Sequence, residues 1–215
     1  DKEKLVKSLN HRGPDENASL ETADFYFHHF RLNIVDALGG KQPMSLGHHH
    51  MIWNGEIYNH LALRKRFNLS AKTHSDTETL LLLYQKMGWA MLQELDGMFA
   101  IALFDAKTKK LFLCRDRAGK KPLYYHTNSK YFVFSSELNA LHSQLNLNPD
   151  HNTIKNFMAL GYFHKSETAY TDAFALENGK TLIFDTQNHK LTTETWWNIQ
   201  NQYQNKRQLF HLCYQ

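Results

Sequence analysis

Cysteine is nearly absent from this sequence: Cys114 and Cys213 are the two thiols among 215 residues. So few thiols cannot build a disulfide framework, and a reducing, cytoplasmic setting is expected. No apolar run approaches the length of a membrane span, and no signal-peptide pattern opens the chain, so no membrane role is expected. The formal charge of +4 comes from lysines and arginines scattered among acids. With no basic stripe, a nucleic-acid partner is not expected. Internal repeats are lacking too. What is present is the profile of a globular chain, with 42% apolar and 13% aromatic residues. The length suits one well-buried domain with an appendage better than two full domains.

The stretch Trp53-Asn54-Gly55-Glu56-Ile57-Tyr58-Asn59 concentrates polar chemistry at one point. Apolar residues precede it and an amphipathic run with Leu61, Leu63 and Phe67 follows. This reads as a strand that ends in a polar corner and enters a helix with Asn59 as N-cap. An Asn-Gly hairpin turn fits the same residues. Upstream, Leu5 and Leu9 mark a short helix over 2–9, and His11-Arg12-Gly13-Pro14-Asp15 is a turn or loop. Two short strands are expected within 25–35, where Arg31 sits among apolar neighbours and either snorkels to solvent or meets an anion. The adjacent histidines His48, His49 and His50 should alternate in direction on an extended segment. They are expected to form a solvated hairpin tip, with no metal site.

Ser75 with Glu78 three residues on is a capping-box pattern ahead of an apolar helix that stops at Gly88. Asp76, in the first turn, would favour the helix dipole by roughly 0.3–1 kcal/mol, which is reason enough for an acid there. A second short helix is expected over 90–95. A hairpin follows, with strands over 98–104 and 111–114, and Cys114 inside it reads as a small core residue. Arg115 to Pro122 is a charged turn. Strands over 123–126 and 131–134, helices over 137–145 and 153–160, and weaker strands near 170–176 and 181–185 complete the pattern. Many antiparallel strands with segregated helices indicate an α+β sandwich.

Several motifs occur in a fixed order: His11-Arg12-Gly13-Pro14-Asp15, Arg31-Leu32-Asn33-Ile34-Val35-Asp36, Gln42-Pro43-Met44 and Asn54-Gly55-Glu56-Ile57-Tyr58-Asn59. Ser75-Asp76-Thr77-Glu78, Gly97-Met98-Phe99-Ala100, Arg115-Asp116-Arg117, Pro122-Leu123-Tyr124-Tyr125 and Ser135-Ser136-Glu137 follow. Over residues 1–197 the series resembles the glutaminase domain of glutamine-hydrolysing asparagine synthetases, class II amidotransferases with an N-terminal nucleophile. The resemblance implies a four-layer αββα sandwich of antiparallel sheets, and hydrolysis of glutamine to glutamate and ammonia for ATP-dependent amidation of aspartate. It also assigns residues. Arg31 would hold the α-carboxylate of L-glutamine through a forked pair, and Asp76 and Glu56 its α-ammonium. Backbone groups of Arg31, Leu32, Asn33, Ile34 and Val35 would line the pocket. The Asn54 side-chain amide and the Gly55 N–H would form the oxyanion hole, where one donor is worth about 2.7–4 kcal/mol in the transition state.

In the resembled family the nucleophile is a cysteine at the first position, with its own α-amine as base. Here Asp1 stands at the start, and neither Cys114 nor Cys213 has an α-amine beside its sulfur. The chain is therefore expected to lack the first, nucleophile-bearing strand and to be inactive as it stands. The expected organisation is a glutaminase-like region over 1–148, its end over 149–197 leading toward a synthetase domain, and an unmatched tail over 198–215. The Ser-Gly-Gly-Leu-Asp-Ser phosphate loop of such a synthetase domain does not occur here. No cofactor is expected in this chain, ATP and Mg being expected in that domain or in a separate synthetase chain. Two alternatives stay open: amidation of another acceptor, such as a surface-polysaccharide precursor, and a non-catalytic glutamine-binding regulatory module.

Overall fold

The computed structural model of the protein describes residues 2–32, 36 and 39–200. Its elements are α1 (Lys2–Leu9), β1 (Glu16–Glu21), β2 (Tyr26–Arg31), β3 (Met44–Leu46), β4 (His49–Ile57), α2 (His60–Arg66), α3 (Asp76–Met87), β5 (Gly97–Asp105) and β6 (Lys110–Arg115). There follow β7 (Tyr124–Thr127), β8 (Phe132–Ser135), α4 (Leu138–Gln144), α5 (His151–Leu160), β9 (Ala173–Ala175), β10 (Lys180–Asp185) and β11 (Lys190–Thr195).

The apolar run of β5 explains the architecture. Both faces of a strand so rich in apolar residues must be covered, and period two divides them. Phe99, Ile101 and Leu103 pack with Leu80, Leu81 and Leu83 of α3 and with Met51 and Trp53 of β4. Ala100, Ala102 and Phe104 face the other way, where Phe27 and Leu123 meet them. β5 lies inside a six-stranded antiparallel sheet of order β11-β10-β6-β5-β4-β3. Opposite it stand a β1-β2 pair and a β8-β7-β9 sheet, and α4 packs on the latter through Leu141. The result is helix, sheet, sheet, helix, as expected, with the second sheet layer divided into two pieces among the described residues. Because β9 pairs with β7, and β10 with β6, residues beyond 148 are built into both sheet layers. No helix among the described residues is long and apolar enough to cross a membrane.

Several local expectations change. The two strands expected in 25–35 are one, Tyr26–Arg31, and residues 33–35 lie outside the described residues. Its partner Glu16–Glu21 carries little strand signal, because Ala18 and Leu20 are the only apolar residues of a strand that alternates between half-buried and exposed. Lys190–Thr195 is weak in sequence for the same reason, being a largely exposed edge strand. The helix expected over 90–95 is a 3-10 turn, Gly88–Gln93. Ser75 caps α3 by accepting from Thr77 N–H at 3.1 Å. Glu78 does not complete the box: its carboxylate accepts from Lys72 N–H, Thr73 N–H and the Thr73 hydroxyl instead. Asn59 precedes α2, but its amide ties Glu94 O and Asp96 N–H together rather than capping the helix.

The histidine run departs from expectation as well. His48 occupies the exposed β3–β4 turn, while His49 is buried and His50 turns to the Ser45 hydroxyl at 2.8 Å. The charged turn at 115–122 is structural. The buried Asp116 carboxylate accepts from the N–H groups of Phe99, Ala118, Lys120 and Lys121 at 3.0–3.2 Å. Arg115 donates to the carbonyls of Lys121, Gly119 and Leu176, closing the loop against the approach to β10. Asp116→Ala strands four backbone donors, and an unmatched buried donor costs about 1–3 kcal/mol. Urea denaturation is expected to show a loss of about 3 kcal/mol or more.

Candidate active site

Among the described residues, β4 has a strand on one side only where the polar corner begins. β5 pairs with it from His49 to Ile57, but β3 reaches only Met51. Beyond that point the free edge of β4 is satisfied by side chains. Gln42 Oε1 accepts the Trp53 N–H at 2.7 Å, His29 Nε2 meets the Trp53 carbonyl at 3.1 Å, and Asp76 Oδ2 accepts the Ile57 N–H at 3.3 Å. Alternation in an antiparallel strand sends the N–H groups of residues 53, 55 and 57 to the same edge. The Gly55 N–H therefore points between two groups already held by Gln42 and Asp76. A side chain at 55 is excluded, since a Cβ there would lie 2.1 Å from Met98 O. The Asn54 side-chain amide has no hydrogen bond among the described residues.

Arg31 ends β2 and is 6% exposed. Its Nη1 donates to Glu16 Oε2 at 3.2 Å, and its Nη2 to Asp36 O at 2.6 Å. Gly13, in the His-Arg-Gly-Pro-Asp motif, lets the preceding loop lie against this strand, because a Cβ would meet Arg31 N at 2.4 Å. In the same motif, His11 and Arg12 both pair with Glu137 of the Ser-Ser-Glu motif, at 2.9 and 3.2 Å. Asp36 accepts from Gly39 N–H and, through Oδ2, from His74 N–H at 2.8 Å. The segment carrying Arg31 is thus tied to the approach to α3. Arg64 of α2 secures that approach from the other side, donating to Thr73 O, Ser75 O and the Thr79 hydroxyl.

Asp76 opens α3 and is 6% exposed. Burial raises its pKa above the ordinary carboxylate value, against the opposing pull of the Ile57 N–H and the nearby His60. Arg31, Leu32, Asn54, Gly55, Glu56 and Asp76 all line one cavity of about 920 Å³ between the two sheet layers. These groups belong to its polar lining, while Ala100 and Ala102 belong to its apolar lining. Asn33, Ile34 and Val35 lie outside the described residues. Sequence reasoning gave no role to Glu16, Asp36 or Gln42, which hold the site in place. The last two stood within quoted motifs, and that was the available signal. Cys114 is not part of the cavity wall; it is fully buried, and burial pushes its thiol up to about 12.

The glutamine amidotransferase domain family model matches residues 1–197. Asparagine synthetase B (glutamine-hydrolysing) of Escherichia coli K12 is 38% identical over 74% of this chain and 28% of its own length. Asparagine synthetase (glutamine-hydrolysing) 3 of Bacillus subtilis is 35% identical over 74% of this chain and 27% of its own. The chain thus spans less than half the length of these curated relatives. Among solved structures, the glutamine phosphoribosylpyrophosphate amidotransferase of B. subtilis aligns with a TM-score of 0.62 at 18% identity, over 90% of this chain and 46% of that one. At that identity the likeness establishes the sandwich fold.

Asp76 sets a pH dependence. With its pKa raised on folding, the folded chain keeps a proton that the unfolded chain has lost. Stability therefore falls as pH rises from about 3.9 through the folded-state value. Asp76→Asn removes this titration and keeps an acceptor for the Ile57 N–H. The variant is expected to be at least as stable as the parent at pH 7, with the advantage shrinking below about pH 4. Urea midpoints at the two pH values measure it, and a clearly less stable variant at pH 7 would contradict the assignment.

Proposed function

The chain belongs to the glutamine amidotransferase domain family, and on that premise we propose that it binds L-glutamine at the polar lining of the cavity as the amidotransferase part of an asparagine synthetase-type protein. The observation that carries this reading is the convergence of a buried cation, two carboxylates, an amide and an open backbone N–H on one cavity. Free glutamine is a zwitterion with a neutral amide at its far end. Arg31 takes the α-carboxylate, since a planar guanidinium matches that group in two-point geometry. Asp76 and Glu56 take the α-ammonium. The Asn54 amide and the Gly55 N–H stabilise the oxyanion that forms when the side-chain carbonyl is attacked.

The carboxylate Glu16 and the Asp36 carbonyl hold the guanidinium in place before substrate arrives. Less side-chain freedom is then lost on binding. Asp76 performs the same service by a different cost, since a buried acid is destabilised until a cation joins it. Hydrolysis also needs a nucleophile within reach of the amide carbon. Cys114 does not qualify, being buried on the helix-facing side of the sheet with its thiol kept protonated. In this reading ATP and Mg act in a synthetase unit that consumes the ammonia, and not in the cavity.

Calorimetry with L-glutamine on the 215-residue chain tests the binding. Saturable heat is expected, and Arg31→Ala or Asp76→Asn should weaken affinity by about tenfold or more, as when one partner of a buried ion pair is lost. Absence of binding, or unchanged affinity in Arg31→Ala, would remove the proposal. A separate expectation concerns turnover: the 215-residue polypeptide should release no more ammonia from glutamine than its Asn54→Ala variant, read in a coupled ammonia assay.

A further inference from the structure

A second constellation lies at the other end of β4, on the face that packs against α3. The β3–β4 turn carries His48, and strand register sets His49 opposite Asp105, which ends β5. Because His48 is in the turn and not in the strand, its ring does not alternate with that of His49. The two ring centroids are 4.1 Å apart. His48 Nε2 stands 3.7 Å from Asp105 Oδ1, and donor atoms of His48, His49 and Asp105 all lie within 4.8 Å of one another.

Two further features single this cluster out. His49 is 8% exposed, and its Nδ1 is buried with no hydrogen-bond partner among the described residues. A buried polar nitrogen left unmatched costs about 1–3 kcal/mol, which a ligand at that atom would offset. Asp105 is already fixed in position: it accepts from Lys107 N–H at 2.9 Å and from the Thr108 hydroxyl at 2.8 Å. The Tyr84 ring packs edge-on against His49, with centroids 4.9 Å apart, and holds that imidazole in place.

We propose that His48, His49 and Asp105 form a binding site for a divalent transition-metal ion, with zinc the favoured occupant. Two imidazoles and one carboxylate suit zinc and its neighbours, whereas magnesium and calcium take oxygen donors almost alone. Zinc bonds of about 2.0–2.1 Å in a tetrahedron place donors roughly 3.3–3.4 Å apart. The 3.7 Å between His48 and Asp105 is close to that spacing, and His48, with its side chain 47% exposed, can rotate to close the difference. Three protein ligands leave a fourth position for water on the solvent side. The ion would join the β3–β4 turn to the β5–β6 turn, so its effect is on stability. The site is independent of the glutamine-binding reading, being built from other residues on the opposite face of the sheet.

Zinc chloride titrated calorimetrically into the 215-residue chain is expected to bind at one equivalent and to raise the melting temperature, and magnesium chloride to do neither. Cobalt(II) should give the intense visible bands of a four-coordinate ion. His48→Ala and Asp105→Asn should each weaken zinc binding by about tenfold or more. Asparagine keeps the Oδ1 acceptor for the Lys107 N–H, and its Nδ2 can donate to the Thr108 hydroxyl oxygen, so a urea midpoint near the parent's shows that the variant reports ligation and not folding. His151→Ala, in exposed helical sequence, should bind as the parent does. No zinc binding by the parent, or equal binding by His48→Ala and Asp105→Asn, would overturn the site and leave only dispersed histidine binding.

Discussion

The edge of β4 that no strand pairs with among the described residues is the constraint on which the rest of the structure depends. A strand paired on one side must satisfy its outward backbone groups elsewhere, because burying them unmatched is costly. Here the partners are side chains brought from distant parts of the chain: Gln42, His29 and Asp76. Each has to be held in turn. His29 is buried deeply enough that its pKa falls to about 4, so it stays neutral and donates to the Trp53 carbonyl. Asp76 is held by the start of α3, which Ser75 caps and Arg64 braces. Among the described residues, the outward N–H left between these supports is that of Gly55.

The charges around this edge form a linked set. Glu16 pairs with both Arg31 and Lys41 at 3.2 Å, which keeps the buried guanidinium from standing as an isolated cation. Asp36 extends the link to His74, two residues before Asp76. The groups assigned to the two charges of glutamine are therefore parts of one hydrogen-bonded framework, and a change at one is transmitted through few intervening atoms. Their geometry is set by backbone contacts that are tight enough to require glycine, at Gly13 against Arg31 and at Gly55 against Met98.

The sandwich was legible because β5 is apolar on both faces and the capped helix α3 supplies one of the two covers. The residues that line the cavity were legible through their motifs, not through periodicity. Edge strands were not: Glu16–Glu21 and Lys190–Thr195 carry few apolar residues, because one or both of their faces meet solvent. Glu78 was misassigned for a different reason. A glutamate three residues after a cap can reach back to more than one backbone N–H, and the tight Lys72–Thr73 loop offered it two. The histidines at 48 and 49 show the limit of strand alternation as a guide, since it stops at the first turn residue.

The position of Cys114 has a practical consequence for chemical probing. Thiol-directed reagents require a thiolate and an open path, and a fully buried thiol held near a pKa of about 12 offers neither. An electrophilic glutamine analogue would pass this cysteine by while the fold is intact. Labelling at Cys114 would therefore report unfolding, separately from occupancy of the cavity.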